Sequence, residues 1–113
     1  MKNIIIVLLL FIVGCAAPGM YYWGDYSSTL YNHKKQLTEE SYSKHKNSLL
    51  DVIDQSAELD TKVPPGIYAE LGFIFYQEGD IITGKKYFEL EVELYPESAY
   101  FINQMIERIN ESN

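Results

Sequence analysis

The most reactive side chain in this sequence is the thiol of Cys15, the only cysteine among 113 residues. It directly follows an apolar run from Ile4 to Val13, which is preceded by Lys2. Since a helix needs about 20 apolar residues to cross a bilayer, this run is too short to be a span. The basic start, the apolar run and the small residue Gly14 predict a secretory signal peptide. A single cysteine excludes an intrachain disulfide and a cysteine-based zinc site.

The residues Ile12-Val13-Gly14-Cys15 resemble the bacterial lipobox, in which two aliphatic or small residues and a Gly or Ala precede an invariant Cys. The resemblance implies cleavage before Cys15, acyl chains on its thiol and acylation of the new amino group. No cofactor is expected beyond these covalent acyl chains on Cys15, which together anchor a protein more stably than one chain does. Ala16 follows, and Gram-negative sorting rules then imply the outer membrane, with the domain on its periplasmic face.

Three segments are predicted: a lipoprotein signal peptide over residues 1–14, a lipidated tether with an aromatic segment over 15–25, and one helical domain over 26–113. The turn-prone residues 16–19 disfavour the two alternatives for the apolar run, a membrane anchor and a buried helix. The aromatic residues 21–23 are interpreted as packing the first helix onto the domain. Contact with lipid head groups is the alternative.

The other residues that could do chemistry are two histidines and two carboxylates. His33 and His45 are predicted on different helices without metal-ligand spacing, so we expect two surface histidines and no metal site. Glu70 and Glu91 are each predicted to face a helix junction, where an unpaired buried acid is costly. Structural pairing is the favoured interpretation and an active site the alternative. Without a nucleophile motif or a phosphate-binding glycine loop, we predict that the protein is not an enzyme.

The composition limits the size of the core and the class of partner. An apolar fraction of 47% in 113 residues predicts one small domain with a modest core. The formal net charge is −7. Nucleic acid and anionic head groups repel such a chain, so neither is an expected partner.

The elements that position these residues are predicted to be helical throughout, an all-α fold of antiparallel hairpins with about five helices after the signal peptide. Asp25 or Ser27 is predicted to cap the first helix, which runs to about Gln36, and Thr38 to cap the second, which ends near Leu59. The predicted apolar stripe of the second helix consists of Leu49, Leu50, Ile53 and Ala57. Two further helices over 67–77 and 81–94 are separated by the turn Gly79-Asp80, and a last one carries Ile102, Met105, Ile106 and Ile109.

Residues 65–98 resemble one tetratricopeptide repeat, a unit of about 34 residues in two antiparallel helices. The matching positions are Tyr68, Leu71, Gly72, Phe75, Gly79, Asp80, Phe88 and Pro96. Gly72 and Gly84 are expected to let the two helices approach closely. Two positions depart from the signature: Gly84 replaces the usual Ala, and Glu91 replaces a small residue. Because residues 31–64 do not match and about three repeats are usually needed, the flanking helices or a partner must complete the core.

The chain also resembles, over nearly all of residues 20–109, a family of small proteobacterial lipoproteins of unknown function. The blocks that carry the resemblance are YWGDY at 22–26, PPGIYAELG at 64–72 and YPES at 95–98. Members are often encoded beside a lipoprotein related to the curli secretion channel and beside another lipoprotein of unknown role. The resemblance implies an assembly of the cell envelope and does not supply a mechanism.

These observations favour an adaptor or assembly factor that is attached to the bilayer through Cys15. Its expected partners are envelope proteins, among them other lipoproteins of the same complex. A helical groove would accept a peptide or a partner helix. The alternatives are a structural subunit of a secretion-channel-like complex, a regulator of a cell-wall synthase, and a small enzyme or ligand carrier. The residues predicted to take part in the interaction are Tyr68, Phe75, Tyr76, Tyr87, Glu70 and Glu91.

Overall fold

The computed structural model describes residues 20–112, which form five α-helices and no strand. The all-α fold with about five helices is therefore confirmed. No helix in this part of the chain is long and apolar enough to cross a membrane. The helices are α1 (Tyr26–Lys35), α2 (Glu39–Glu58), α3 (Ile67–Gln77), α4 (Ile81–Leu94) and α5 (Ala99–Ser112), with a 3-10 turn (Pro96–Ser98) before α5.

Local hydrogen bonds fix the starts of α2 and α4 where the sequence predicts them. The Thr38 side chain accepts from the Ser41 amide at 3.1 Å and the Ser41 hydroxyl oxygen accepts from the Thr38 amide, a capping box that starts α2. The Asp80 carboxylate accepts from the Thr83 amide at 3.1 Å and starts α4. Asp25 precedes α1 as predicted, but its side chain makes no capping bond. The start of α1 is held by backbone bonds, in which the Tyr26 amide donates to the Trp23 carbonyl and the Thr29 amide to the Asp25 carbonyl.

The buried face of α2 differs from the predicted stripe. Leu49 is fully buried and Leu50 and Ile53 are partly buried, but Ala57 is exposed. The prediction was wrong at this position because it followed apolar residues alone. The residues of α2 that are buried are His45, Ser48, Leu49, Val52 and Ser56. Polar residues can occupy that face because neighbouring helices supply hydrogen-bond partners to two of them.

The core consists of two clusters that share α3. The first joins α2 to one side of α3 and contains Leu49, Val52, Val63, Ile67, Leu71 and Ile74. The second joins the other side of α3 to α4 and α5 and contains Ala69, Phe88, Ile102 and Ile109. Helix α3 is thus the element that the two clusters share, and α1 packs on α2.

Helices α3 and α4 cross at two glycines. A Cβ atom built on Gly72 would lie 2.6 Å from Phe88 Cδ1, and one on Gly84 would lie 2.3 Å from Tyr76 Cδ2 and 2.9 Å from the Gly72 carbonyl oxygen. The predicted close approach is therefore confirmed. We call this contact the glycine crossing. The tight turn before α4 uses Gly79 at φ 88°, a conformation that favours glycine.

Candidate functional site

An apolar groove of about 670 Å³ lies between α3 and α5. None of the side chains that line it is acidic, and the only charged one is Arg108. We call it the α3–α5 groove. Its walls are Phe73, Tyr76 and Gln77 from α3, and Phe101, Met105, Arg108, Ile109 and Ser112 from α5.

The helical periodicity of α5 builds one wall of the groove. Ile102 and Ile109 are 3% and 6% exposed and hold α5 on the core. Phe101, Met105 and Arg108 are spaced by four and three residues, so they form one ridge beside that buried stripe. Phe101 keeps 57% of its surface exposed. The result is a row of large side chains that the buried residues Ile102 and Ile109 hold against the core and that is open to solvent.

The opposite wall is held by the glycine crossing. The Tyr76 ring packs on buried Phe88, with the two ring centroids 5.2 Å apart. Because Gly84 has no side chain, one edge of the Tyr76 ring can lie close to the α4 backbone. Tyr76 is the one predicted interaction residue that lines the α3–α5 groove.

The other three predicted interaction aromatics lie together away from the groove. The Phe75 and Tyr87 rings stack with centroids 5.5 Å apart, and Tyr68 stacks on Tyr87 at 6.1 Å. All three rings are partly buried against the first core cluster. Lys46 Nζ lies 4.3 Å from the Phe75 ring centroid, a cation–π contact that covers one edge of the stack. Burial raises the pKa of the Tyr68 hydroxyl.

Glu70 belongs to a hydrogen-bonded cluster where α1, α2 and α3 meet. Its carboxylate accepts from the Tyr26 hydroxyl at 2.9 Å and pairs with His45 Nε2. His45 Nδ1 lies 2.9 Å from Thr29 Oγ1, which lies 2.8 Å from Ser48 Oγ. Burial and the Glu70 bond raise the pKa of Tyr26 to about 12. We call these five residues the polar junction.

The order carboxylate, imidazole, hydroxyl in the polar junction is that of a nucleophilic triad. Thr29 Oγ1, however, has three protein partners: His45 Nδ1, Ser48 Oγ and the Tyr26 carbonyl oxygen at 3.1 Å. A hydroxyl has a single proton, and that of Thr29 donates to the Tyr26 carbonyl oxygen instead of being held toward His45 as in a triad. The polar junction therefore connects three helices, and its geometry does not present a nucleophile.

The two histidines are not both surface residues, and this prediction was wrong. His45 is 4% exposed, and the His33 ring stacks on it at 6.3 Å between centroids. His33 Nδ1 also lies 2.9 Å from Ser41 Oγ. The residues lie twelve apart in the sequence and meet because α1 folds back along α2. Residues 20–112 contain no cluster of three or more side chains that could hold a metal ion.

Glu91 lies under the first turn of α3. Its side chain is 3% exposed, and Oε1 accepts from the Gly66 amide at 2.8 Å. Oε2 has no hydrogen-bond partner among the described residues. Burial raises the pKa of this carboxyl, and the amides at the start of α3 oppose that rise. Glu91, which belongs to α4, thus caps the start of α3. A charged residue in a helix interior does not indicate this role in the sequence.

The sequence-based prediction missed Phe101 and Arg108, and Cys15 lies outside the described residues. A signal for Phe101 was present, since a large aromatic on the flank of an amphipathic helix lies beside its buried stripe. Arg108 carried no comparable signal, because its importance depends on the aromatic residues that α3 places opposite.

Comparisons with known proteins give one family. A family model described as a domain of unknown function (DUF4810) matches residues 20–105, which include all of α1 to α4 and half of α5. Comparison with curated proteins and with solved structures finds no match. The matched range covers most of the sequence, and the chain therefore belongs to the DUF4810 family.

Proposed function

We propose that this chain is a lipid-anchored protein-interaction module of the cell envelope, acting as an adaptor or assembly factor. The observation that carries the proposal is the α3–α5 groove, an apolar channel with Phe101 57% exposed on one wall and Tyr76 on the other. Aromatic residues and arginine are the residue types enriched at protein interfaces. An apolar patch rimmed by polar groups is typical of an interaction site.

The position of the groove in the fold supports the same function. Helix α3 belongs to the segment with the tetratricopeptide-like signature, and α5 follows it as the first helix of the next unit. Repeats of this kind stack into concave surfaces that bind extended partners. Glu70 and Glu91 are engaged within the fold, which favours binding over catalysis.

The lipid anchor is the second part of the proposal. The lipobox-like residues 12–15 support acylation of Cys15, and the tether at 15–25 would hold the domain close to the outer membrane. Mass spectrometry of the processed N-terminus tests this directly. An acylated Cys15 supports the anchor, and a free thiol in the processed chain refutes it.

Crosslinking in intact cells tests the interaction. A C-terminally tagged chain is compared with Phe101→Ala and with the matched control Tyr31→Ala, which removes an aromatic ring that is 64% exposed away from the groove. We expect one envelope protein to co-purify with the parent and with Tyr31→Ala, and to be lost with Phe101→Ala. Equal recovery with both variants would place the contact elsewhere and contradict the proposal.

A further inference from the structure

The side chains that line the α3–α5 groove carry a positive charge, whereas the chain as a whole is acidic. The sequence has 16 acidic and 9 basic residues, yet no acidic side chain lines the groove. The one charged residue on its walls is Arg108, which is also the only arginine in the sequence. Two other surface depressions of the described residues differ, because Lys44 is accompanied by Glu40 in one and by Asp25 and Asp51 in the other.

Arg108 is not used by the fold. None of the ion pairs among residues 20–112 includes it, and its side chain makes no hydrogen bond to the described chain. It is exposed, and Glu107 and Glu111 on the same helix do not engage it. A guanidinium offers five donors in a planar fork that matches a carboxylate. Such a group beside an apolar channel is a ready partner for an acid on a ligand.

The length of the groove indicates the form of that ligand. The α5 wall runs from Phe101 to Ser112, which at 1.5 Å per residue is about 16 Å, or three helical turns. The chain offers no sheet edge among its described residues to which an extended strand could add. Helices that bind grooves use apolar anchors on successive turns over such a length.

The following inference rests on the proposed function. We propose that the α3–α5 groove receives an amphipathic helix of another protein, and that an Asp or Glu beside the apolar stripe of that helix pairs with Arg108. The apolar side chains enter between Tyr76 and Phe101, and the carboxylate lies at the Arg108 end. A second copy of this chain is a poorer occupant, since the apolar stripes of α2, α3, α4 and α5 are already packed into its own core.

A displayed library of helix-forming peptides, randomised at every position, is the probe. It is selected against the full-length chain in detergent, against Arg108→Glu, and against Lys86→Glu, a matched charge reversal at an exposed residue of α4. We expect the parent and Lys86→Glu to enrich Asp or Glu next to an apolar repeat. Arg108→Glu is expected to enrich Lys or Arg there. Arg108→Gln should weaken a parent-selected peptide about tenfold, as loss of a charge-assisted bond implies.

Several results would overturn the proposal: no enriched peptide, no preference for acidic residues, or the same preference after Arg108→Glu. Self-association of the purified chain that Phe101→Ala abolishes would also overturn it, because the occupant would be a second copy. Far-UV circular dichroism verifies that the exposed substitutions leave the helices intact.

The cellular crosslinking separates this proposal from the proposed function. A partner lost with Phe101→Ala but retained with Arg108→Glu refutes the acidic helix and leaves the adaptor intact. A partner retained with both variants refutes the α3–α5 groove as the binding surface, which is the observation that carries the proposed function.

Discussion

The two sides of α3 are held by opposite kinds of contact. On the side that faces α1 and α2, the polar junction joins three helices through Glu70, His45 and Thr29. On the side that faces α4, the glycine crossing brings backbones together through Gly72 and Gly84. One contact depends on directional hydrogen bonds between side chains, and the other depends on the absence of side-chain atoms.

The difference teaches how a small chain can present a fixed binding surface. The glycine crossing is close-packed, so small changes of volume there are costly. It directly supports the Tyr76 wall of the α3–α5 groove. None of the five residues of the polar junction lines that groove. Changes at the two contacts should therefore differ in size and in their effect on binding.

The largest effect is expected from Gly84→Leu. The new side chain would overlap the Tyr76 ring and the Gly72 carbonyl, since even a Cβ lies 2.3 Å and 2.9 Å from them. Overpacking of this kind costs about 3 kcal/mol of the free energy of unfolding. Chemical denaturation measures it, with Lys85→Leu at the exposed neighbouring position as control. Equal stabilities of the two variants would show that the crossing is not close-packed.

Breaking the polar junction should cost less. His45→Leu removes one hydrogen-bond partner from the Glu70 carboxylate and one from the Thr29 hydroxyl, which costs about 2 kcal/mol. Because both substitutions break the same His45–Glu70 contact, the double variant His45→Leu with Glu70→Leu should lose less stability than the two single losses added. A double-mutant cycle measures this coupling. Strict additivity would mean that the residues are neighbours without a shared network.

The pH dependence of Glu91 sharpens the comparison, because it is the one buried acid on the α4 side. Burial raises the pKa of the Glu91 carboxyl above the ordinary 4.5 in the folded chain. The protonated carboxyl therefore stabilises the fold at low pH, and this stabilisation is lost as the pH rises through the pKa of the folded state. Glu91→Gln keeps an acceptor for the Gly66 amide and does not titrate. We expect this variant to gain stability relative to the parent as the pH rises. Parallel pH profiles of the thermal midpoint would contradict it.

The smallest effect belongs to the edge of the aromatic stack. Lys46 pairs with Glu78 at 2.9 Å and lies over the Phe75 ring, so Lys46→Met should cost about 0.5–1 kcal/mol. The control is Lys44→Met, whose pair with Glu40 is largely exposed and contributes little. Raising the salt concentration should narrow the difference between these variants. A larger loss of stability for Lys44→Met than for Lys46→Met would contradict this prediction.

The sequence predicted the features that depend on neighbouring residues. Thr38, Asp80 and Gly79 mark helix ends by local hydrogen bonds and backbone preference, and the structure confirms each of them. The close approach at Gly72 and Gly84 followed from a repeat signature within one hairpin.

What the sequence did not reveal depends on residues that are distant along the chain. His45 is polar, so its place on the buried face of α2 requires knowing that α3 supplies Glu70. The α3–α5 groove likewise arises only when α5 returns to α3, which places Phe101 opposite Tyr76. Hydrophobic periodicity identifies a face of a helix but does not identify the helix that covers it.

Site-specific photocrosslinking in intact cells tests the central claim most directly. A photoreactive amino acid replaces Phe101 on the groove wall, and in a matched strain it replaces Tyr31, which is exposed on α1. The account predicts one discrete adduct with an envelope protein from position 101 and none with that protein from position 31. No adduct from position 101, or the same adduct from both positions, would contradict a partner bound in the α3–α5 groove.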